Sequence, residues 1–258
     1  MDLGISGRVA MVAAASKGIG FAVAKALAEE GCRLSVCARG EEALGKACEG
    51  LPGSRGYLCD VANSNDLERW FDSTVAELGP PDVLVTNTGG PPAGGVLELS
   101  DEQWQSGFDG TVMNVVRLVR LAGPGMAERR WGRIVHITSL VAKEPSQLLP
   151  ISSTLRAGLM ALTRLQSTEL APNGVTVNAV LPGHTLTDRQ LHLMEIRSSQ
   201  LGVTVEEAIE RQASETPAGR LASPDEIASV VAFLSSERAA YLTGASILVD
   251  GGLTKGLG

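Results

Sequence analysis

The chain alternates short apolar runs with stretches in which apolar residues return every three or four positions. "RVAMVAA" (Arg8–Ala14) is a run of strand length with almost no polar interruption. In the "GIGFAVAKALAEEG" that follows, Ile19, Val23, Ala26 and Leu27 recur at helical spacing, and Gly31 fits a C-terminal stop. Arg33–Ala38 and Gly56–Val61 predict the second and third strands. Asp82–Asn87, Gly132–Ser139, Gly174–Pro182 and Ser246–Gly251 continue the series to seven. Helical patterns lie between them over Asn65–Leu78, Gln103–Arg130, Pro150–Ala171 and Asp225–Ser236. Such alternation predicts an α/β fold with one doubly wound, seven-stranded parallel sheet and helices on both faces.

His184–Pro217 breaks the rhythm. It is polar and predicts one or two short helices over the carboxyl edge of the sheet, where open parallel sheets bind ligands. It is therefore a candidate substrate lid. With 258 residues and 44% hydrophobic content, residues 1–258 predict a single domain with a large core.

Charge narrows the partners. A net charge of -7 and a pI near 5.1 argue against nucleic acid or an anionic membrane. Arg129, Arg130 and Arg133 read as cations at a helix end. The start, "MDLGISGRVA", has no secretory pattern, and no run is long enough to span a membrane. Cys32, Cys37, Cys48 and Cys59 lack ligand or CxxC spacing, which predicts reduced thiols in a cytoplasmic protein. The three histidines have no metal spacing either, so no metal is expected.

The chemistry begins at "AASKGIG" (Ala14–Gly20), between the first strand and the first helix. Ala14, Ser16, Lys17, Gly18, Ile19 and Gly20 form a turn whose amides, with the helix N-terminus, suit a pyrophosphate. Gly18 and Gly20 are expected to allow close backbone approach, and Ala14 to keep a negative φ. The second strand ends in "CARGEE". Arg39 stands where a carboxylate would read the 2′-hydroxyl of NAD; with Lys17 it suits a 2′-phosphate, so NADP is expected rather than NAD. The alternative is that Arg39 is merely solvated.

These motifs resemble the short-chain dehydrogenase/reductase family, in particular its β-ketoacyl carrier-protein reductase-like branch, over essentially the whole chain. The family has a Rossmann-type fold. "CDV" puts Asp60 and Val61 where it contacts adenine. "VTNTG" keeps Asn87 and Gly89 beside the cofactor, and "LPG" sets Pro182 and Gly183, then Thr187, near the nicotinamide. "GRIVHITS" places Ser139 at the catalytic serine.

The other three members of the family's Asn–Ser–Tyr–Lys centre are replaced. Thr111 stands at the asparagine position, with Asn114 one turn on; Ser152 is at the tyrosine position and Arg156 at the lysine position. Serine is no acid near neutrality, and arginine stays protonated. The pair keeps polarity and ribose binding but removes the usual proton relay. Ser139 and Ser152 with water, His184, or Lys143 are candidate replacements; the bland readings are a loop histidine and a solvated lysine. His136 reads as structural and His192 as a lid-surface residue. Tyr241 reads as a packing or capping residue rather than an acid.

The resemblance implies hydride transfer between NADP(H) and a small carbonyl or alcohol substrate. The alternatives are an NADP-binding protein without turnover, or a dehydratase or isomerase on the same fold. It also implies a homodimer or homotetramer, with Leu118, Leu121, Leu155, Leu159 and Leu162 on the two long helices either pairing across the interface or packing into the core.

Overall fold

The computed structural model describes residues 2–256. Seven strands form one parallel sheet: β1 (Val9–Val12), β2 (Arg33–Ala38), β3 (Arg55–Leu58), β4 (Val83–Thr86), β5 (Gly132–Ile137), β6 (Val175–Pro182) and β7 (Ser246–Val249). Their order is β3-β2-β1-β4-β5-β6-β7, and every pairing is parallel. Winding reverses between β1 and β4, which places a crevice at the carboxyl ends of these strands.

Helices α1 (Gly18–Glu29) and α9 (Pro224–Leu234) cover one face. Helices α3 (Ser64–Leu78), α5 (Asn114–Glu128) and α6 (Pro150–Leu170) cover the other. Alternation along β1 feeds both layers: Ala10 and Val12 pack with Leu27 and Ile227, Met11 and Ala13 with Trp70 and Leu118. Both strand faces are thus dry, which is why the sequence shows unbroken apolar runs.

Helix α2 (Glu41–Glu49) falls where no helix is expected from the sequence. Leu44 and Ala47 alone are buried on it, too short a stripe to register over the charged residues around it. The long helical pattern after β4 is also more complex than expected. It starts earlier, as α4 (Asp101–Phe108) behind a Ser100/Gln103 capping box, and joins α5 through a π-helical turn over Asp109–Met113. His184–Pro217 contains two helices, α7 (Asp188–Leu201), capped by Thr187, and α8 (Val205–Glu215), with a Thr204/Glu207 capping box.

Arg133 does not serve a helix end. It lies buried on β5, donates to the Ser236 and Gly132 carbonyls, and like Arg8 lies over the Trp131 ring. Tyr241 neither packs nor caps: its side chain is 102% exposed. Leu118 and Leu159 are core residues, while Leu121, Leu155 and Leu162 are half-buried. All four cysteines are free, with Cys37 and Cys59 buried.

His136 is structural. It is fully buried on β5 between Thr86 Oγ1 (2.8 Å) and Gln166 Oε1 (2.9 Å), and burial pushes its pKa down to about 4. Its folded pKa lies below the usual 6.5, so the unfolded chain takes up the proton first as pH falls. The neutral imidazole's contribution is present above pH 6.5 and is lost as pH drops toward about 4. Chemical denaturation across that window is expected to show a loss of the order of 3 kcal/mol that His136→Gln, which cannot titrate, does not show.

Candidate functional site

The carboxyl ends of β1, β2, β4, β5 and β6, with α7 above them, enclose a cleft of about 1670 Å³. That exceeds the 300–1,000 Å³ range typical of a drug-sized ligand and leaves room for a dinucleotide and a second molecule.

At one end lies the glycine turn. Ala14, Ser16, Lys17, Gly18 and Ile19 line the wall. Gly18 has φ +58, a left-handed conformation that glycine adopts freely. Gly20 does not reach the wall. A Cβ there would stand 2.4 Å from the Ala14 carbonyl oxygen and 2.8 Å from Asn87 Nδ2, so its glycine serves the packing of the turn against β1 and β4. Ala14 does not keep a negative φ: it sits at +49, a residue with a Cβ in the left-handed region. Asn87 Nδ2 donates to its carbonyl at 3.3 Å, which helps hold that conformation.

Beyond the turn, Arg39, Asp60 and Val61 line the next stretch. Arg39 is exposed and has no hydrogen bond or ion pair among the described residues. Asp60 accepts from the Ala62 amide and is held by Asp66 through its own amide. Lys17 is already engaged. Its Nζ lies 2.7 Å from Asp188 on α7, joining the glycine turn to the helix across the cleft.

The other end is built from β4, β5, β6 and α6. Asn87 and Gly89 line it from β4, Ser139 from β5, and Pro182, Gly183, His184 and Thr187 from the segment after β6. Ser139 accepts from the Val141 amide at 3.3 Å and opens a short 3-10 turn. Thr111, 2% exposed, reaches the cleft from the π-turn, where the Asn114 amide bonds to the Asp109 carbonyl five residues back. The widened turn is thus present although its asparagine position holds threonine.

Ser152 and Arg156 occupy successive turns of α6, and both line the cleft. Arg156 Nε donates to Ser152 Oγ at 3.1 Å, and Nη1 donates to the Ile137 carbonyl at 3.0 Å. The guanidinium is 6% exposed and has no carboxylate partner; burial, with the charge of Arg189, pushes its pKa down to about 10. Arginine thereby stays cationic at neutral pH. Neither tyrosine, Tyr57 or Tyr241, lines the cleft.

Of the other proton-carrier candidates, His184 is half-buried on the wall. Burial lowers its pKa and favours the neutral ring, and its backbone is pinned by the Ala222 amide at 2.8 Å. Lys143 does not line the cleft; the next residue, Glu144, does. His192 is on the outer surface beside Glu195, as expected.

The sequence reading missed Asp188 and Arg189. Arg189 is half-buried on the wall and donates to the Pro91 carbonyl at 2.6 Å. A cation in a helix's first turn opposes the macrodipole, and that local anomaly after a Thr N-cap was the available signal. Among the described residues no cluster suits a metal ion, and no helix is long and apolar enough to cross a membrane.

Residues 13–254 match the family model described as enoyl-(acyl carrier protein) reductase. The chain belongs to the short-chain dehydrogenase/reductase family. Within this family, it is 38% identical over 251 residues to a putative ketoacyl reductase of Streptomyces coelicolor, covering 95% of this chain and 96% of that one. The L-sorbose reductase of Gluconobacter frateurii, solved with NADPH and L-sorbose, superposes with a TM-score of 0.94 at 35% identity over the full length of both chains. Actinorhodin polyketide ketoreductase, solved with NADPH, gives 0.93 at 36% identity, covering 96% of this chain and 98% of that one. The seven-stranded fold is therefore matched over the whole chain.

Proposed function

We propose that the chain is an NADP(H)-dependent oxidoreductase for a carbonyl/alcohol pair, using a proton path built without tyrosine. The hydrogen bond from Arg156 to Ser152 within the cleft carries this reading, because it keeps a fixed cation and a hydroxyl at the two altered positions. The NADPH complexes of the sorbose and polyketide reductases support the cofactor.

The residues present fit that dinucleotide. The left-handed Gly18 and the amides of Ala14, Ser16 and Ile19 at the start of α1 form a cradle for a pyrophosphate. Arg39, free of partners among the described residues, and Lys17 suit a 2′-phosphate. A bound dinucleotide would have Asp60 and Val61 at its adenine, Asn87 and Gly89 beside it, and Pro182, Gly183 and Thr187 near its nicotinamide. Arg156 holds ribose hydroxyls. Bound there, the dinucleotide supplies or accepts a hydride.

Ser139 and Ser152 hydrogen-bond the substrate oxygen, and Thr111 adds a hydroxyl to the same wall. Arg156 stabilises negative charge on that oxygen but cannot itself transfer a proton. Water relays the proton, with neutral His184 at the mouth as the titratable group. Helices α7 and α8 act as the lid, with Lys17–Asp188 as its contact to the glycine turn. The outer faces of α5 and α6, where Leu165 is 68% exposed, form the homodimer or homotetramer contact.

Incubation of 4-deuterated NADPH with a panel of ketones is expected to place deuterium in the alcohol. The double variant Ser152→Tyr with Arg156→Lys restores a titrating phenol and is expected to raise that rate by up to about 10²–10⁴. Tight NADPH binding with no deuterium transferred by either protein would favour the second reading. In that reading, motivated by the absence of tyrosine from the cleft, the chain binds the nucleotide without turnover.

A further inference from the structure

Five cations line the cleft; Lys17 and Arg197 are paired with Asp188 and Glu215, whereas Arg39, Arg156 and Arg189 have no carboxylate partner among the described residues. The cleft's four acids are each committed to other contacts. Asp188 faces Lys17, Asp60 accepts the Ala62 amide, Glu98 the Gly95 amide and Glu144 the Lys255 amide. Arg156 and Arg189 both line the same wall, and neither has a carboxylate within 4 Å among the described residues. Their hydrogen bonds go to neutral acceptors, the Ser152 hydroxyl and the Ile137 and Pro91 carbonyls.

Arg189 sits on the second residue of α7, so the positive pole of the helix adds to its charge. Burying cations without counter-ions costs free energy, and an arrangement of this kind is favourable chiefly when an anion completes it. Arg189 is close enough to Arg156 for its charge to act on that guanidinium. The dinucleotide phosphates have their own provisions at the glycine turn and Arg39, on β1 and β2. Arg189 leans on Pro91, beyond β4, on the side of Ser139 and Ser152.

We infer that the substrate is an oxo acid, a carbonyl compound bearing a carboxylate, and that Arg189 is the residue that recognises that carboxylate. The inference rests on the oxidoreductase reading above and specifies its substrate class. Arg189's fork of donors provides for a carboxylate in two-point contact while one donor keeps the Pro91 carbonyl. Arg156 contributes field to the carboxylate rather than direct contact, since two of its donors face Ser152 and Ile137 and the others are left for the ribose hydroxyls. Swinging α7 would carry Arg189 with it, so acid binding and closure of the cleft are coupled.

The test is calorimetry on the full chain. NADP⁺ is titrated first; acetoacetate and levulinate, each beside its methyl ester, are then titrated into the NADP⁺-saturated protein. At least one acid is expected to bind about tenfold or more tighter than its ester. Arg189→Met is expected to reduce that preference to below about twofold while leaving NADP⁺ affinity within about twofold. Arg189→Lys is expected to recover part of the preference, since it restores charge without the fork. Equal binding of acid and ester by the parent protein overturns the inference. So does an Arg189→Met variant that loses NADP⁺ as steeply as the acid, because Arg189 would then serve the dinucleotide. If the parent protein binds no NADP⁺, the oxidoreductase reading fails separately, and the acid–ester comparison is read on the unliganded protein.

Discussion

Gly20→Ala is expected to abolish useful dinucleotide binding. The added methyl would meet the Ala14 carbonyl oxygen at 2.4 Å and Asn87 Nδ2 at 2.8 Å, and the first of these is backbone. Either the turn or α1 must shift. Overpacking of this kind costs about 1–3 kcal/mol. Because the atoms displaced are those that present the amides of Ser16–Ile19, the strain falls on the pyrophosphate cradle. Titration with NADPH should show an affinity loss of about 10²-fold, equivalent to roughly 3 kcal/mol. Gly45→Ala in α2 is the control. Nothing lies within 4 Å of its added methyl, and in a helix interior alanine gains about 0.5–1 kcal/mol over glycine. Loss of binding in both variants, or in neither, would remove the steric explanation.

Arg156→Met should separate stability from function. The parent protein buries this guanidinium, 6% exposed, against two neutral acceptors and without a carboxylate. Methionine keeps much of the volume and removes the desolvated charge. Replacing buried charge by apolar volume is often stabilising, by about 1–4 kcal/mol. In a chain of this size each kcal/mol is worth roughly 2–4 °C, so the unliganded variant should melt several degrees higher. Its melting point should respond far less to NADPH, since a ligand stabilises by RT ln(1 + [L]/Kd). Turnover should vanish. Scanning fluorimetry with and without NADPH reads both effects. A lower melting point for the unliganded variant would mean that the two hydrogen bonds outweigh the desolvation of the charge.

The sheet was nearly all legible in the sequence because strands dry on both faces leave an apolar signature that few other elements share. β2 falls at Arg33–Ala38 as expected and the other strand ends shifted by at most three residues; β1 is Val9–Val12 where Arg8–Ala14 was expected. Helix α2 was not legible, since Leu44 and Ala47 are too few to stand out from charged neighbours. The capping box at Thr204 was written in the chain, and it turns a polar stretch into a defined helix.

At the site, the turn residues and the altered trio Thr111, Ser152 and Arg156 could be placed by counting, and all but Gly20 line the cleft. Three features could not. The left-handed backbone at Ala14 contradicts its local preference and is imposed by tertiary contacts, among them Asn87. Lys143 and Glu144 differ by one residue in an irregular segment where no periodicity tells inside from outside. The π-turn at Asp109–Met113 has no composition of its own, because the same residues would serve an ordinary helix.

That turn makes chain length at this spot as consequential as residue identity. The helix carries an extra residue between its halves, and an α-helix rotates about 100° per residue. An indel of one position there would have to be absorbed by α4, whose Gly107 lies close against Ile151 of α6. It would swing everything upstream, Trp104 and Phe108 included, to a different bearing relative to Ser139. Because Ser106 and Gly107 line the cleft, a single codon's gain or loss would change which side chains α4 presents to this wall.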